Sequence, residues 1–176
     1  MSVTTTCRDI KELDPVAQKA CNLFMTECKK AGLNVCITET YRSQARQDYL
    51  YAQGRTRSGN IVTWTKKSNH TGRMAWDICK NIRGQEYSDP KFFEQCGAIA
   101  KKLGITWGGT WKTPDRPHFE VTKSWKIPVT TNGTGTAVEK YKKQVQERFG
   151  FEDRTIEWLA TYKSADALFT KLATKK

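Results

Sequence analysis

The chain has 176 residues, of which 30 are Lys or Arg and 18 are Asp or Glu, so its formal net charge is +12 at pH 7. That length and a hydrophobic content of 38% suffice for one ordinary domain and a small appendage. No segment approaches the roughly 20 apolar residues of a membrane span, which argues against stable membrane insertion, and the charge predicts attraction to a polyanion such as nucleic acid, an anionic membrane or a cell wall.

The first half of the chain predicts a helix, a strand, a second helix and a long polar loop. Asp-Pro followed by an amphipathic run and closed by glycine predicts a capped helix over residues 14–32. The alternating, β-branched residues 35–38 predict a strand, and a serine opens a second helix over residues 43–54. Residues 55–69 are polar and predict a long loop, a feature that is more often functional than idle.

The middle of the chain predicts three strands and one helix. Residues 74–79 alternate in character and predict a strand in which Asp77 lies on the face opposite the large apolar residues. A Ser-Asp-Pro start and an apolar repeat at helical spacing predict a third helix over residues 88–104. Residues 105–107 and 119–121 predict two further strands around a Gly-Gly turn.

The last part of the chain predicts a linker and a helical tail. Residues 129–136 are rich in Thr and Gly and predict the linker, and apolar spacing predicts three short helices within residues 137–176. The whole order predicts an α+β domain over residues 1–128 and a small C-terminal helical region. Packing on the first domain, cell-wall binding through lysines and self-association are all open for this tail. Self-association would use an apolar stripe made of Val138, Tyr141, Val145 and Phe149.

The six cysteines show no Cys-x-x-Cys pair and no zinc-finger spacing. Several fall on apolar faces of predicted helices, and free cysteines are among the most buried residue types. We therefore predict reduced core thiols, with a disulfide or a metal site as the alternative. The cysteines are Cys7, Cys21, Cys28, Cys36, Cys79 and Cys96.

The chain contains only two histidines, and each lies in a segment that also carries a carboxylate. His70 precedes Asp77 by seven residues, and His118 lies between Asp115 and Glu120. Two imidazoles and one carboxylate are a normal ligand set for catalytic zinc, which keeps a fourth position for water. A lone histidine is more often structural, so the residue count by itself indicates a plausible metal site and no more.

Four motifs resemble, in order, those of the zinc peptidases with the hedgehog/D,D-peptidase fold. They are Tyr-Arg-Ser at 41–43, Tyr-Ala-Gln-Gly-Arg-Thr at 51–56, Ser-x-His followed by Ala and Asp at 68–77, and Trp-Gly-Gly with Asp-x-x-His at 107–118. Within that group the sequence is most similar to the L-alanyl-D-glutamate endopeptidases of phage endolysins and cell-wall lytic enzymes. The resemblance implies a small antiparallel sheet with flanking helices and a zinc peptidase catalytic domain.

The resemblance also implies a role for each residue of the constellation. One Zn²⁺ is expected on His70, Asp77 and His118. Asp115 matches the general base of the family, which takes a proton from water and later delivers it to the leaving amine. Arg42 matches an arginine that stabilises the oxyanion of the tetrahedral intermediate.

Several neighbouring residues have more than one interpretation. Ser68 is expected to orient the substrate or a ligand, and Trp111 to bind the substrate. Glu120 shares the strand face of His118 and is the rival general base. Trp107 fits either the core or the cleft, and core packing is favoured. Asp115 and Arg42 also fit the simpler interpretation of turn and surface residues.

The sequence departs from the family pattern at two positions. Relatives have glycine three residues after the first histidine, where this chain has Arg73 and carries Gly72 one place earlier. Relatives have aspartate after Trp-Gly-Gly, where this chain has Thr110. Neither position is an expected metal ligand.

These features predict a zinc endopeptidase that cleaves peptidoglycan stem peptides between L-alanine and D-glutamate, as a phage or prophage endolysin. Without a signal peptide in its sequence, we expect it to be made in the host cytoplasm and to reach the wall after holin-type release. Peptidoglycan is the expected partner, with anionic wall polymers as further candidates and nucleic acid not expected. The alternatives are a D,D-carboxypeptidase or dipeptidase of the same fold, and a non-catalytic basic binding protein.

Overall fold

The computed structural model contains one antiparallel sheet in its N-terminal part. Its strands are β1 (Val35–Glu39), β2 (Ala75–Lys80), β3 (Thr106–Trp107) and β4 (His118–Glu120). They lie in the order β1-β2-β4-β3, so that β2 pairs with both β1 and β4. This arrangement confirms the predicted α+β fold with a small antiparallel sheet and flanking helices.

The structure describes residues 2–128, 137–160 and 165–174. The chain divides into two compact units, Met1–Pro128 and Val129–Lys176. The predicted linker over 129–136 lies outside the described residues.

The helices of the first unit begin at the capping residues that the sequence indicates. They are α1 (Pro15–Lys30), α2 (Gln44–Ala52) and α3 (Pro90–Lys102). The side chains of Asp14, Ser43 and Asp89 accept hydrogen bonds from backbone N–H groups in the first turn of each helix. The sequence does not predict the short 3-10 helices Ile10–Glu12 and Gly108–Thr110, because three residues are too few to show a periodic pattern.

One face of the sheet forms the core with α1 and α3. The ring of Phe24 in α1 lies 4.7 Å from that of Phe119 in β4 and 6.1 Å from that of Trp76 in β2. All three side chains are fully buried, and each such burial stabilises the fold by about 2–3 kcal/mol. Because successive side chains of a strand point to opposite faces, this packing places Asp77 and His118 together on the other face.

The predicted loop after α2 is confirmed, since residues 58–69 contain no helix or strand. Its entrance is a tight turn at Gly54, whose φ of 73° is in the left-handed region that favours glycine. A Cβ atom at Gly54 would lie 2.7 Å from the backbone nitrogen of Ile61. The close approach of these two backbone segments therefore folds the loop back on itself.

Arg73 has a φ of 62° and is the only non-glycine residue with a positive φ in the described part of the chain. Glycine adopts this conformation readily, whereas the left-handed region costs other residues roughly 1–2 kcal/mol, so arginine is an unfavourable residue for this backbone. Here the Arg73 side chain has compensating contacts. Its guanidinium lies 2.6 Å from a carboxylate oxygen of Glu12 and stacks 3.9 Å from the ring centroid of Tyr41.

We expect the replacements Arg73→Gly and Arg73→Ala to differ in stability by about 1 kcal/mol, with glycine the more stable. Both variants lose the contacts with Glu12 and Tyr41. The left-handed backbone at residue 73 is unfavourable for alanine but not for glycine. Urea unfolding of the two variants measures the difference, and the shared loss of side-chain contacts cancels. Equal unfolding free energies would contradict this account of the strain.

The described residues of the second unit form three helices. They are α4 (Ala137–Phe149), α5 (Asp153–Ala160) and α6 (Ala165–Thr174). Its core is small and consists of the buried residues Val145, Ile156, Phe169 and Ala173. Within the apolar stripe, Val145 is fully buried and Val138 and Tyr141 pack against this core, whereas Phe149 is 44% exposed and stacks on Phe151 at 5.6 Å. The role of the unit, as a packing annex or a cell-wall binder, stays a prediction.

The six cysteines are free thiols, as predicted, and all except the half-buried Cys36 are buried. Burial raises the pKa of Cys79, which lies opposite Cys36 in the β1–β2 pairing. Among the described residues, no helix combines the length and apolar character that a bilayer crossing requires.

Candidate metal centre

Three potential ligand atoms converge on the polar face of the sheet. The Nε2 atom of His70 and the Nδ1 atom of His118 each lie 3.1 Å from Oδ1 of Asp77. The two imidazole nitrogens are 3.2 Å apart. In the described part of the chain this is the one group of three such residues that could hold a metal ion.

The backbone explains this convergence. Asp77 in β2 and His118 in β4 are directly opposed in the antiparallel pairing, so their side chains leave the same face of the sheet side by side. His70 comes from the turn before β2, in which Thr71 N–H donates to Ser68 and Met74 N–H donates to Asn69. The same turn ends at the left-handed residue described above, and it directs the His70 ring onto the sheet.

Hydrogen bonds on the far side of each imidazole determine which nitrogen carries the proton. Nδ1 of His70 lies 2.6 Å from the carbonyl oxygen of Thr40, which can only accept. Nε2 of His118 lies 2.9 Å from a carboxylate oxygen of Glu120, which also accepts. In the neutral rings, the nitrogens that face Asp77 therefore carry lone pairs. Three lone pairs this close repel one another, so the cluster favours either a metal ion between them or a proton on one of the ring nitrogens.

The electrostatics of the cluster point the same way. Burial lowers the pKa of His118, but the hydrogen bonds to Asp77 and Glu120 outweigh it and raise that pKa to about 9. Burial would raise the pKa of Asp77, but the charge of His70 and the hydrogen bonds of both histidines lower it well below its usual range. The group thus favours a positive charge, which a divalent metal ion could supply, and its donor set is one that catalytic zinc uses.

Glu120 holds the ring of His118, a potential metal ligand, through a hydrogen bond. One of its carboxylate oxygens accepts from Nε2 of His118 and, at 2.8 Å, from the side-chain amide of Asn69. The hydrogen bond from His118 lowers the pKa of Glu120. A carboxylate on the outer nitrogen of a ligating histidine fixes the ring's tautomer and orientation, and this position is less suited to a proton-transfer role.

Asp115 lies at the edge of the same cleft as the three potential ligands. Burial of its carboxyl group and the negative charge of Asp77 raise its pKa. No hydrogen bond of its carboxylate occurs among the described residues, so the group is free to accept a proton. Its backbone is well held, because Asp115 N–H donates to Gly108 at 2.9 Å and His118 N–H donates back to the Asp115 carbonyl.

Packing around Trp107 holds the segment that carries Asp115. The indole N–H donates to the Arg116 carbonyl at 2.8 Å, and the ring stacks on Phe119 at 6.5 Å. Cβ atoms at Gly97 and Gly109 would lie within 2.2 Å of this ring, so both glycines are needed to accommodate it. The structure therefore places Trp107 against the core, in agreement with the favoured interpretation.

Arg42 lies in the cleft but is already extensively bonded. Its terminal nitrogens donate to Gln47 at 2.8 Å and to Glu39 at 2.5 Å, and one of them lies 3.6 Å from Oδ2 of Asp77. Burial alone would raise the pKa of Glu39, but Arg42 and Arg46 lower it. The guanidinium thus lies next to Asp77, a potential metal ligand, in a fixed orientation, and its contribution to an oxyanion stays a prediction.

All seven residues that the sequence nominates border one cleft of about 520 Å³. Trp111 is 39% exposed, and its ring lies 5.1 Å from that of His118. The Ser68 hydroxyl accepts a hydrogen bond from the His70 backbone N–H at 3.3 Å. Ser68 therefore stabilises the turn that carries His70 and also lines the cleft. The nominated residues are Arg42, Ser68, His70, Asp77, Trp111, Asp115 and His118.

Sequence reasoning missed the inner support of the site. Glu39, Thr40 and Gln47 are buried polar residues that hold Arg42 or His70. One signal was available, because Glu39 stands three residues before Arg42 and seven before Arg46, and a carboxylate in a strand next to two arginines favours a buried ion pair. The contact of Thr40 with His70 leaves no such mark, since it uses only the backbone carbonyl.

Comparisons with known proteins agree with this geometry. The sequence profile of a peptidase family described as D-alanyl-D-alanine carboxypeptidase matches residues 62–121, which include all three potential ligands and Asp115. The peptidoglycan L-alanyl-D-glutamate endopeptidase CwlK of Bacillus subtilis (strain 168) is 34% identical over 126 residues, a stretch that covers 62% of this chain and 74% of that protein.

A solved structure shares the fold. The crystal structure of Serratia marcescens L-Ala D-Glu endopeptidase ChiX aligns with a TM-score of 0.52 at 24% sequence identity. The alignment covers 67% of this chain and 89% of that protein.

Proposed function

Because the chain belongs to the D-alanyl-D-alanine carboxypeptidase family of metallopeptidases, we propose that it hydrolyses the stem peptides of peptidoglycan at the bond between L-alanine and D-glutamate. The relative with 34% identity, CwlK, carries that activity in its name. The observation that carries the proposal is the cluster of three lone pairs beside the unpaired carboxylate of Asp115, in one open cleft.

The chain's own residues account for the proton transfers of such a hydrolysis. Asp115 accepts a proton from the attacking water and delivers it to the leaving amine of D-glutamate. Its raised pKa suits both steps better than that of an ordinary aspartate, because the group must gain and lose a proton near neutral pH. Arg42, with its orientation fixed by Glu39 and Gln47, provides positive charge for the oxyanion.

The metal ion is proposed to be a single Zn²⁺ held by His70, Asp77 and His118. The fit rests on the donor set, which is two neutral imidazoles and one carboxylate with converging lone pairs. When bound, zinc supplies Lewis-acid chemistry, which acidifies water and polarises a carbonyl group. Thr40 and Glu120 keep the two histidines in the tautomers that present their lone pairs.

The biological role is proposed to be that of a phage or prophage endolysin. In this role the protein is made in the host cytoplasm and reaches the peptidoglycan after holin-type release. The net charge of +12 supports attraction to an anionic wall. Expression in a bacterial host with and without a co-expressed holin tests this role, and lysis that needs no holin would count against it.

Digestion of purified peptidoglycan tests the proposed reaction. With zinc-loaded protein we expect new amino-terminal D-glutamate, detected by mass spectrometry of the soluble fragments, and loss of the product after chelation. A D,D-carboxypeptidase is the second candidate, because the family profile carries that description. It would release free D-alanine instead. No cleavage by metal-loaded protein would rule out both activities and favour a non-catalytic binding protein.

A further inference from the structure

The loop between α2 and the His70 turn presents an exposed tryptophan. Trp64 is 73% exposed, more than any other large hydrophobic residue in the described part of the chain. Ile61 and Val62, in the same short segment, are also exposed, and exposed apolar residues that occur together often mark a binding site. Trp64 therefore needs an explanation that the catalytic residues do not provide.

The indole belongs to an ordered group of side chains. The guanidinium of Arg55 lies 4.0 Å from the ring centroid of Tyr51 and 5.7 Å from that of Trp64. The same guanidinium donates to the backbone carbonyls of Tyr51, at 2.6 Å, and of Thr63, at 3.2 Å. We call Tyr51, Arg55 and Trp64 the Trp64 platform. These hydrogen bonds hold Arg55 in place before any ligand arrives, and less ordering of the platform on binding lowers the entropic cost.

The platform adjoins the candidate active site. Thr63 and Thr65, the neighbours of Trp64, both line the catalytic cleft. Their segment is tied to α2 through Gln47, whose amide donates to the Thr65 carbonyl at 2.6 Å and which also holds Arg42. A polymer bound in the cleft can therefore extend directly onto the platform.

The platform offers polar contacts as well as an aromatic face. The ammonium group of Lys66 lies 5.2 Å from the ring centroid of Tyr51 and has no hydrogen bond or ion pair with the described residues. Sugars present C–H groups on the faces of their rings and hydroxyl and amide oxygens around the edges. The exposed indole of Trp64 suits the faces of the sugar rings, and the unpaired ammonium group of Lys66 suits the oxygens around their edges.

We propose that the Trp64 platform binds the glycan strand of peptidoglycan, next to the stem peptide in the cleft. This rests on the proposed function, and substrate connectivity supports it. L-Alanine is the residue that joins the stem peptide to the sugar, so a cut after L-alanine brings the glycan within about one residue of the reacting bond. The glycan must pass a rim of the cleft, and the platform is a preformed surface at one rim.

A comparison of two substrates tests the proposal with Trp64→Ala, Trp64→Phe and the zinc-loaded wild type. One substrate is a soluble disaccharide-peptide from the wall, and the other is the same peptide without sugar. We expect Trp64→Ala to raise KM for the sugar-bearing substrate about tenfold more than for the bare peptide, which corresponds to about 1.4 kcal/mol. Phenylalanine should restore most of the difference. Ile127→Ala, a control at a residue that is 59% exposed and does not line the cleft, should change neither KM.

Direct binding separates this proposal from the proposed function. Glycan strands stripped of their peptides should bind wild-type protein and Ile127→Ala, but bind Trp64→Ala more weakly, whether or not the protein cleaves peptides. Equal losses by Trp64→Ala on both substrates, or unchanged binding of stripped glycan, would overturn the proposal. Stripped glycan carries free lactyl carboxylates on its muramic acid residues, so part of its binding to this basic protein is electrostatic and is screened by salt. The difference in affinity between wild type and Trp64→Ala should persist in high salt, because an aromatic contact is not screened, and a difference that vanishes there would also overturn the proposal.

Discussion

Replacement of Asp115 by asparagine is expected to lower kcat for peptidoglycan hydrolysis by about 10²–10⁴-fold, the usual contribution of a general acid–base residue. The amide keeps the size of the side chain but cannot carry the proton. The backbone hydrogen bonds that link Asp115 to Gly108 and His118 are unaffected by the change. Zinc content and thermal unfolding should therefore remain those of the wild type, while the initial rate of fragment release falls.

Glu120→Gln is the matched control for this prediction, because Glu120 was the rival base. Glutamine still accepts a hydrogen bond from His118 through its amide oxygen, so the histidine stays oriented. We expect a loss of about tenfold, seen mainly as weaker zinc binding, which is the typical effect of changing a partner of a metal ligand. If Asp115→Asn hydrolysed the wall normally and Glu120→Gln lost kcat at saturating zinc, the assignment of the base would be reversed.

The sequence was informative where the signal was local. The starts of α1 and α3 follow from Asp-Pro pairs at Asp14 and Asp89, because a capping carboxylate and a proline act within one turn of the chain. The same holds for β2, where alternation alone placed Asp77 away from the core. Local physics is enough for such features, and the structure reproduces each of them to within one or two residues.

The candidate site required more than local signals. The sequence positions of His70 and His118 indicated only a plausible metal site. The resemblance to the family motifs predicted that both bind one ion. The structure adds that each ring has a partner on its outer nitrogen, Thr40 or Glu120. The partner of His70 is the backbone carbonyl of Thr40, 30 residues away in sequence. Because every residue has such a carbonyl, neither residue type nor spacing predicts this contact.

Tertiary packing explains the remaining differences. Gly97 looks unremarkable in the sequence and Gly109 is noted only as part of the Trp-Gly-Gly motif, yet both make room for the ring of Trp107. Arg73 looks in the sequence like a simple departure from the family pattern, yet its backbone is in the left-handed region that favours glycine. Both features depend on distances between segments or on backbone angles, and a one-dimensional pattern contains neither quantity.

Replacement of His118 by alanine is expected to abolish both tight zinc binding and wall hydrolysis. The change removes one of three converging lone pairs and leaves Asp77 with a single imidazole partner. Wild-type protein should be stabilised by zinc, by about 2.7 kcal/mol at a free concentration 100 times the dissociation constant, since the ion binds the folded state. Thermal unfolding of His118→Ala should show no such zinc dependence.

Six thiols provide the competing explanation for any bound zinc, so a cysteine variant is the appropriate control. Cys36→Ala changes the one half-buried thiol and leaves the cluster of His70, Asp77 and His118 intact. It should retain one zinc ion per chain, with the zinc-dependent shift in unfolding temperature unchanged.

If zinc stayed with His118→Ala and were released by alkylation of the thiols, cysteines would hold the metal. The lone pairs on Asp77 and the two imidazoles would then need protons instead, which the high pKa of His118 already permits. Metal content and unfolding measured on the same two variants therefore decide whether the cation of this cluster is zinc or a proton.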